Sequence, residues 1–223
     1  MNYRTKKIEI FYDYVCIWCY FITGSIEQLQ KEFDIDIRWT AFPLYPEIPE
    51  KGLNFDAMFA DKNSDISKMM TILKRIANRL GLPFCNPNII YNSRLAQELG
   101  KWSEFKGKGH EFHKAAFRAF FVKAQNIGDA HVLVKLAESV GLNAKDAQKV
   151  IQERTYKEAV DLDWKRSYEL SITEVPTFLF NHQVLVGAQP YETLEMFLFP
   201  NNVKRRNLNP SIHRYDEGLL LAC

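Results

Sequence analysis

The chain has 223 residues, enough for one large domain or one domain carrying a sizeable insertion. Its 47% hydrophobic and 13% aromatic content supplies a full core and excludes intrinsic disorder. A net charge of +2, with no block of like charge beyond Lys204 to Arg206, argues against a nucleic-acid surface.

No run of about 18 apolar residues occurs, so no membrane span is expected. The N-terminus is basic, but Glu9 and Asp13 interrupt the apolar stretch and no small-residue cleavage site follows, which argues against a signal peptide. A terminal Cys223 is not a prenylation box, which needs its cysteine four from the end. The expectation is a soluble cytoplasmic protein.

Lys6 to Asp13 alternates Ile8, Ile10 and Tyr12 against Glu9 and Phe11, which predicts a strand running straight into Cys16. After Cys19, helical spacing of Ile22, Ile26, Leu29 and Phe33 predicts a helix, with Gly24 a mild cost inside it. Ile35 to Phe42 alternates again as a second strand, and Pro43, Pro46 and Pro49 then break regular structure.

From about Asn54 to Ser171 the pattern is helical almost throughout. One helix places Ile66, Met69, Met70, Leu73, Ile76, Ala77 and Leu80 on one face and stops at Gly81. Two more are expected around residues 92–105 and 112–124, and another runs from a capping Asp129 to Gly141. The stretch 143–170 is one long helix or two. Met and aromatic stripes here are assigned to core, without chemistry.

Strands return in 176–180 and 183–187, which flank a hairpin turn holding Asn181 and His182. A closing helix follows Pro190. The segment from Pro200 onward is polar and irregular until residues 219–223, which the pattern does not place.

The order β, C-x-x-C, α, β, helical block, β, β, α predicts an α/β thioredoxin-like core with a large all-helical insertion between its β-α-β and β-β-α halves. Residues 1–45 and 172–200 would form that core, 46–171 the inserted helical domain, and 201–223 a C-terminal tail.

The Cys16–Cys19 pair has three readings: a redox dithiol, half a zinc site, or two inert buried cysteines. Zinc needs further ligands, and Cys85 and Cys223 have no cysteine at motif spacing, so no metal is expected. His110 and His113 sit in a helical segment with no third ligand nearby and are expected to face solvent. A strand-to-helix junction favours redox chemistry, because unpaired amides at a helix start stabilise a thiolate. Cys16 would then be the exposed nucleophile and Cys19, one turn on, the buried resolving thiol. Val175–Pro176, at the start of a strand, is expected to be a cis peptide facing the pair, leaving the Val175 backbone available to an extended substrate.

The motifs DYVCIWCY, FPLYPEIPEKG, NSRLAQEL, AFFVKAQNIGDAHVLVKLAESVGL, EVPTFLF and VGAQPYETL, in this order, resemble the DsbA-like thioredoxin-fold family and, within it, the cytosolic FrnE-like branch. The resemblance spans roughly Ile8 to Phe199. It implies a nucleophilic Cys16, a resolving Cys19 and a cis Pro176. Ile17 stands where members usually have proline, Gln97 where a histidine often follows the alanine, and Glu174 where glycine usually precedes the Val-Pro pair.

Kappa-class glutathione transferases and 2-hydroxychromene-2-carboxylate isomerases belong to the same superfamily. They usually carry serine at the first cysteine position and use glutathione. Retention of both cysteines favours a thiol–disulfide oxidoreductase without a bound cofactor. Its partners would be protein or small-molecule thiols and disulfides, glutathione among them, with no nucleic acid and no membrane. Ile17, Trp18 and Val175 would contact substrate, and Phe42, Tyr45 and the helical block would wall the groove. A glutathione-dependent isomerase or transferase and a non-catalytic peptide-binding module are the rival readings.

Overall fold

The computed structural model describes residues 6–59, 66–85, 87–201 and 203–206. The main sheet has the strand order β2-β1-β5-β6, from β1 (Lys6–Tyr12), β2 (Ile35–Ala41), β5 (Thr177–Phe180) and β6 (Gln183–Val186). β1 is central. It runs parallel to β2, with Ile8 opposite Ile37, and antiparallel to β5, with Ile10 opposite Phe178.

Both faces of β1 are covered: on the face opposite Ile8 and Ile10, Phe11 is fully buried and Glu9 is 6% exposed. Burial alone would raise the Glu9 carboxyl. Two bonds from the Arg166 guanidinium at 2.7 Å and one from Thr40 at 2.7 Å more than reverse this and hold it below the usual range.

The crossover from β1 to β2 is two helices rather than the one expected. α1 (Ile17–Phe21) ends at Ile22, and α2 (Thr23–Glu32) restarts there. The β5–β6 hairpin turns through Asn181 at φ 45° and His182 at φ 69°, the left-handed pair that a two-residue turn between twisted strands needs. α10 (Tyr191–Leu198) follows Pro190 as expected.

Between β2 and β5 lie α3 (Phe55–Phe59), α4 (Ile66–Arg79), α5 (Arg94–Phe105), α6 (Gly109–Phe121), α7 (Ala130–Ser139), α8 (Ala144–Glu153) and α9 (Lys157–Glu169). The segment is not purely helical: β3 (Leu53–Asn54) pairs antiparallel with β4 (Ile89–Ile90), a ribbon too short to leave a periodic signal. Asp129 caps α7, accepting the Val132 N–H at 2.9 Å. The stretch expected as one helix or two is two, divided where Arg154 turns left-handed at φ 52°. Leu80, expected on the buried face of α4, lies past its end and is 48% exposed.

α5 is the hub of this segment, with Ala96 to Gly100 all buried. Gly100 is required by a close approach, since a Cβ there would stand 2.6 Å from the Tyr14 hydroxyl. α9 closes over β2. Its Asp163 accepts the Ala41 N–H at 2.9 Å and pairs with Lys101 of α5 at 2.7 Å. No described helix is long and apolar enough to cross a membrane. Residues 207–223, including Cys223, lie outside the described residues.

Candidate active site

β1 delivers the chain into the turn 13–16, and that turn starts α1. The Cys16 N–H donates to the Asp13 carbonyl at 3.1 Å, and the Asp13 carboxylate accepts the Val15 N–H at 3.1 Å. Cys16 is therefore the N-cap of α1. Its sulfur accepts the Cys19 N–H at 3.3 Å and donates to the Val175 carbonyl at 3.3 Å. Both cysteines are free thiols. Val175–Pro176 is cis, as expected. The loop is held by a 2.7 Å bond from the Gly187 N–H to the Pro176 carbonyl.

One expectation needs correction. Cys16 is not exposed on the surface: it is 4% exposed, against 0% for Cys19. It is reached instead through a cavity of about 300 Å³. Val15 to Trp18, Leu44, Tyr45 and Val175 line the cavity together with Phe55, Met69, Met70, Leu73, Phe84, Pro87, Ile90, Phe120 and Phe121. Ile17, Trp18, Val175 and Tyr45 all line the cavity. Phe42 does not line the cavity and packs in the core behind it. The helical block walls the groove through α4 side chains that the periodicity had assigned to core. A helical stripe facing a cavity has the same periodicity as one facing packed side chains.

Behind the turn lies a buried carboxylate that the sequence reading passed over. Burial pushes Asp13 up to about 6, against the pull of donors from Val15, Ser93, Leu44 and Gln97. Gln97 donates to Asp13 at 3.1 Å and to the Phe42 carbonyl at 3.0 Å, and its own oxygen accepts the Trp164 indole N–H at 2.9 Å. The helix carrying Gln97 therefore does place a polar group beside the turn. The signal for Asp13 was a charged residue ending a strand otherwise dominated by apolar side chains. Burial also pushes the Cys19 thiol well up, with the neighbouring Cys16 sulfur adding to the effect.

His113 contradicts its expectation. It is 2% exposed, while His110 is exposed as predicted. Burial lowers the imidazole against the opposing pull of Glu104, so it is neutral at neutral pH. Its Nε2–H donates to Glu104 at 3.0 Å, which leaves Nδ1 to accept the Tyr14 hydroxyl at 2.7 Å. Tyr14, two residues before Cys16, is anchored by that bond. Glu174 is exposed and lines no part of the cavity, so it does not obstruct the cysteine. Cys85 is exposed, with its N–H on the Phe121 carbonyl at 2.7 Å. Among the described residues no cluster of His, Cys, Asp and Glu could hold a metal ion.

Comparison with known proteins agrees with this geometry. A family model described as a DSBA-like thioredoxin domain matches residues 7–199. YwbO of Bacillus subtilis (strain 168), described as uncharacterized, is 32% identical over 207 residues, covering 90% of this chain and all of that protein. The crystal structure of a probable DsbA oxidoreductase from Streptomyces coelicolor superposes with a TM-score of 0.81 at 22% identity, covering 92% of this chain and 94% of that one. A 2-hydroxychromene-2-carboxylate isomerase superposes with a TM-score of 0.71 at 15% identity, covering 87% of this chain and 95% of that one. At such identities the two structures speak for the fold alone.

Proposed function

The chain belongs to the DSBA-like thioredoxin-domain family, and from that premise we propose that it is a thiol–disulfide oxidoreductase working through Cys16 and Cys19. The observation that carries this is the division between the two sulfurs: Cys16 caps α1 and lines the cavity, while Cys19 is sealed behind it.

In the reducing direction the Cys16 thiolate attacks a substrate disulfide, releasing one substrate thiolate and forming a mixed disulfide. Cys19, once deprotonated, attacks the Cys16 sulfur and expels the second substrate thiol. The enzyme dithiol thereby loses two electrons and the substrate disulfide gains them. The oxidising direction is the reverse sequence. Val175 and Pro176 would position the substrate backbone beside Cys16, with Ile17 and Trp18 giving it an apolar contact surface. The substrate would be a protein or small-molecule thiol or disulfide.

Loss of the resolving thiol should leave the partner attached. We expect Cys19→Ser to accumulate mixed disulfides at Cys16, and Cys16→Ser to accumulate none, on non-reducing gels followed by mass spectrometry. Equal trapping by both variants would overturn the division of roles. Catalysis that persists without Cys19 would favour the glutathione-dependent isomerase or transferase reading.

A further inference from the structure

We propose that two copies of this chain pair edge to edge through β6 about a twofold axis at Leu185, so that their two main sheets become one. The pairing is independent of the redox chemistry proposed above.

The two edges of the main sheet differ in kind. At the β2 edge, side chains of the helical segment occupy outward backbone groups: Asp163 accepts the Ala41 N–H at 2.9 Å, and Lys101 donates to the Trp39 carbonyl. Asp36 and Arg38 add exposed charges along that strand. Such devices keep a sheet edge from pairing with another chain. β6 has none of them. It reads Gln183, Val184, Leu185, Val186, without charge or proline, and among the described residues no strand lies beyond it.

The register fixes which groups face outward. β6 runs antiparallel to β5, with Val186 opposite Thr177 and Leu185 opposite Phe178. The Gly187 N–H donates to the Pro176 carbonyl at 2.7 Å. Bonding alternates along such a ladder, so Leu185 and Gln183 also turn their backbone groups to β5. Those of Val184 and Val186 therefore point away from the sheet. The Val186 carbonyl accordingly takes the Gln189 side-chain amide, at 2.7 Å, instead of a β5 partner. The two valine side chains share one face and are 53% and 44% exposed.

A second copy matches this edge group for group. An antiparallel β6 turned about Leu185 sets Val184 of each copy opposite Val186 of the other, and each of those pairs exchanges two backbone bonds. The Val186 carbonyl has a second lone pair for its share. Four valines then adjoin on one face, and the two Leu185 side chains meet on the other. No like charges oppose each other, because the strand carries none. Any shift of this register leaves outward groups of Val184 or Val186 without a partner in β6. Strands of four residues bury little by themselves. Asn201 bonds Asn181 at 2.7 Å and Gln183 at 3.0 Å, which sets the chain after α10, with its 64% exposed Phe199, beside the start of β6. Together these place the contact near the low limit of about 1,200 Å² for stable interfaces, so the dimer should depend on concentration. With the β2 edge blocked, assembly stops at two.

The test is sedimentation velocity of the full chain from about 1 to 500 μM, in excess phosphine to exclude disulfide-linked species. The mass of one chain at the dilute end should pass to that of two at the concentrated end, and no further. Val184→Lys, at an exposed edge position, should raise the dimer dissociation constant at least about tenfold. Phe105→Lys, which removes the most exposed of the large apolar side chains described, should leave it within about twofold. Residue-resolved amide exchange of the wild type needs no variant to fold. The Val184 and Val186 amides should gain at least about tenfold protection across that concentration range, while Leu185, already bonded to β5, gains little. A chain that stays single throughout would overturn the proposal. So would a dimer that Val184→Lys leaves intact, or an assembly larger than two. Val184 and Val186 amides already protected in the dilute chain would overturn it as well, since the edge would then be covered from within.

Discussion

Asp13 sits where the turn into Cys16 begins, and its carboxyl is raised from 3.8 to about 6 by burial. Below about pH 3.8 the folded and unfolded chains both hold this proton. As pH rises from there to about 6, the unfolded chain releases it first, so this group lowers stability across that window and adds no further slope above it. The shift corresponds to roughly 3 kcal/mol. Urea unfolding of wild type and Asp13→Asn between pH 4 and 7 should therefore show the wild-type advantage shrinking as pH rises; a difference that stays flat would mean Asp13 titrates normally. Gly100 bears on the same turn. Alanine there would press on the Tyr14 hydroxyl that holds His113, at a cost of about 1–3 kcal/mol. In a Tyr14→Phe background the nearest Tyr14 ring atom is at an ordinary 3.6 Å, so the same alanine should cost less than half as much. Thermal or urea denaturation of the four-protein cycle measures that coupling.

Among the elements, α5 ties the helical segment to itself and to the sheet. Its Glu98 is 3% exposed and receives Arg94 at 2.7 Å and both donors of a forked Arg154 at 2.7 Å, joining α5 to the end of α8. Glu98→Ala leaves the largely buried Arg94 with Asp161 as its remaining carboxylate, whereas Arg154 is exposed enough to turn to water. The expected loss is about 2–3 kcal/mol by chemical denaturation, with Arg154→Ala costing distinctly less. None of this was visible in the sequence, because a glutamate on an amphipathic helix has the same periodicity whether it meets solvent or a buried guanidinium. The elements themselves were largely legible. β1 and β2, the hairpin at Asn181–His182 and the cap at Asp129 each follow from local chemistry that tertiary context did not override. What stayed hidden was set by long-range packing: the break at Ile22, the two-residue ribbon of β3 and β4, the burial of His113, and which side chains of the helical block form the cavity wall. Of the site, the cysteine pair and the Val175–Pro176 peptide were readable from motif spacing, while Asp13 and the enclosure of Cys16 needed the fold.

At the scale of the whole molecule, the strand that leads to Cys16 pairs with β5, so that Glu9 faces Leu179 from about three-quarters of the chain away. The carbonyl that accepts from Cys16 comes from the same late segment. A chain ended after Ser171 therefore lacks one flank of β1, and its Cys19 should be alkylated by iodoacetamide at least about a hundredfold faster than in the full-length protein. Comparable protection in both would mean that the site closes without its C-terminal half. The same pairing has a consequence on the ribosome. Some 160 residues follow Cys19 before β5 is complete, which at ordinary translation speeds leaves the thiols of the nascent chain unshielded for roughly ten to thirty seconds. During that interval they are open to any oxidant or stray disulfide nearby. The protein's own thiols are thus subject to the redox balance of their surroundings before its fold can shield them.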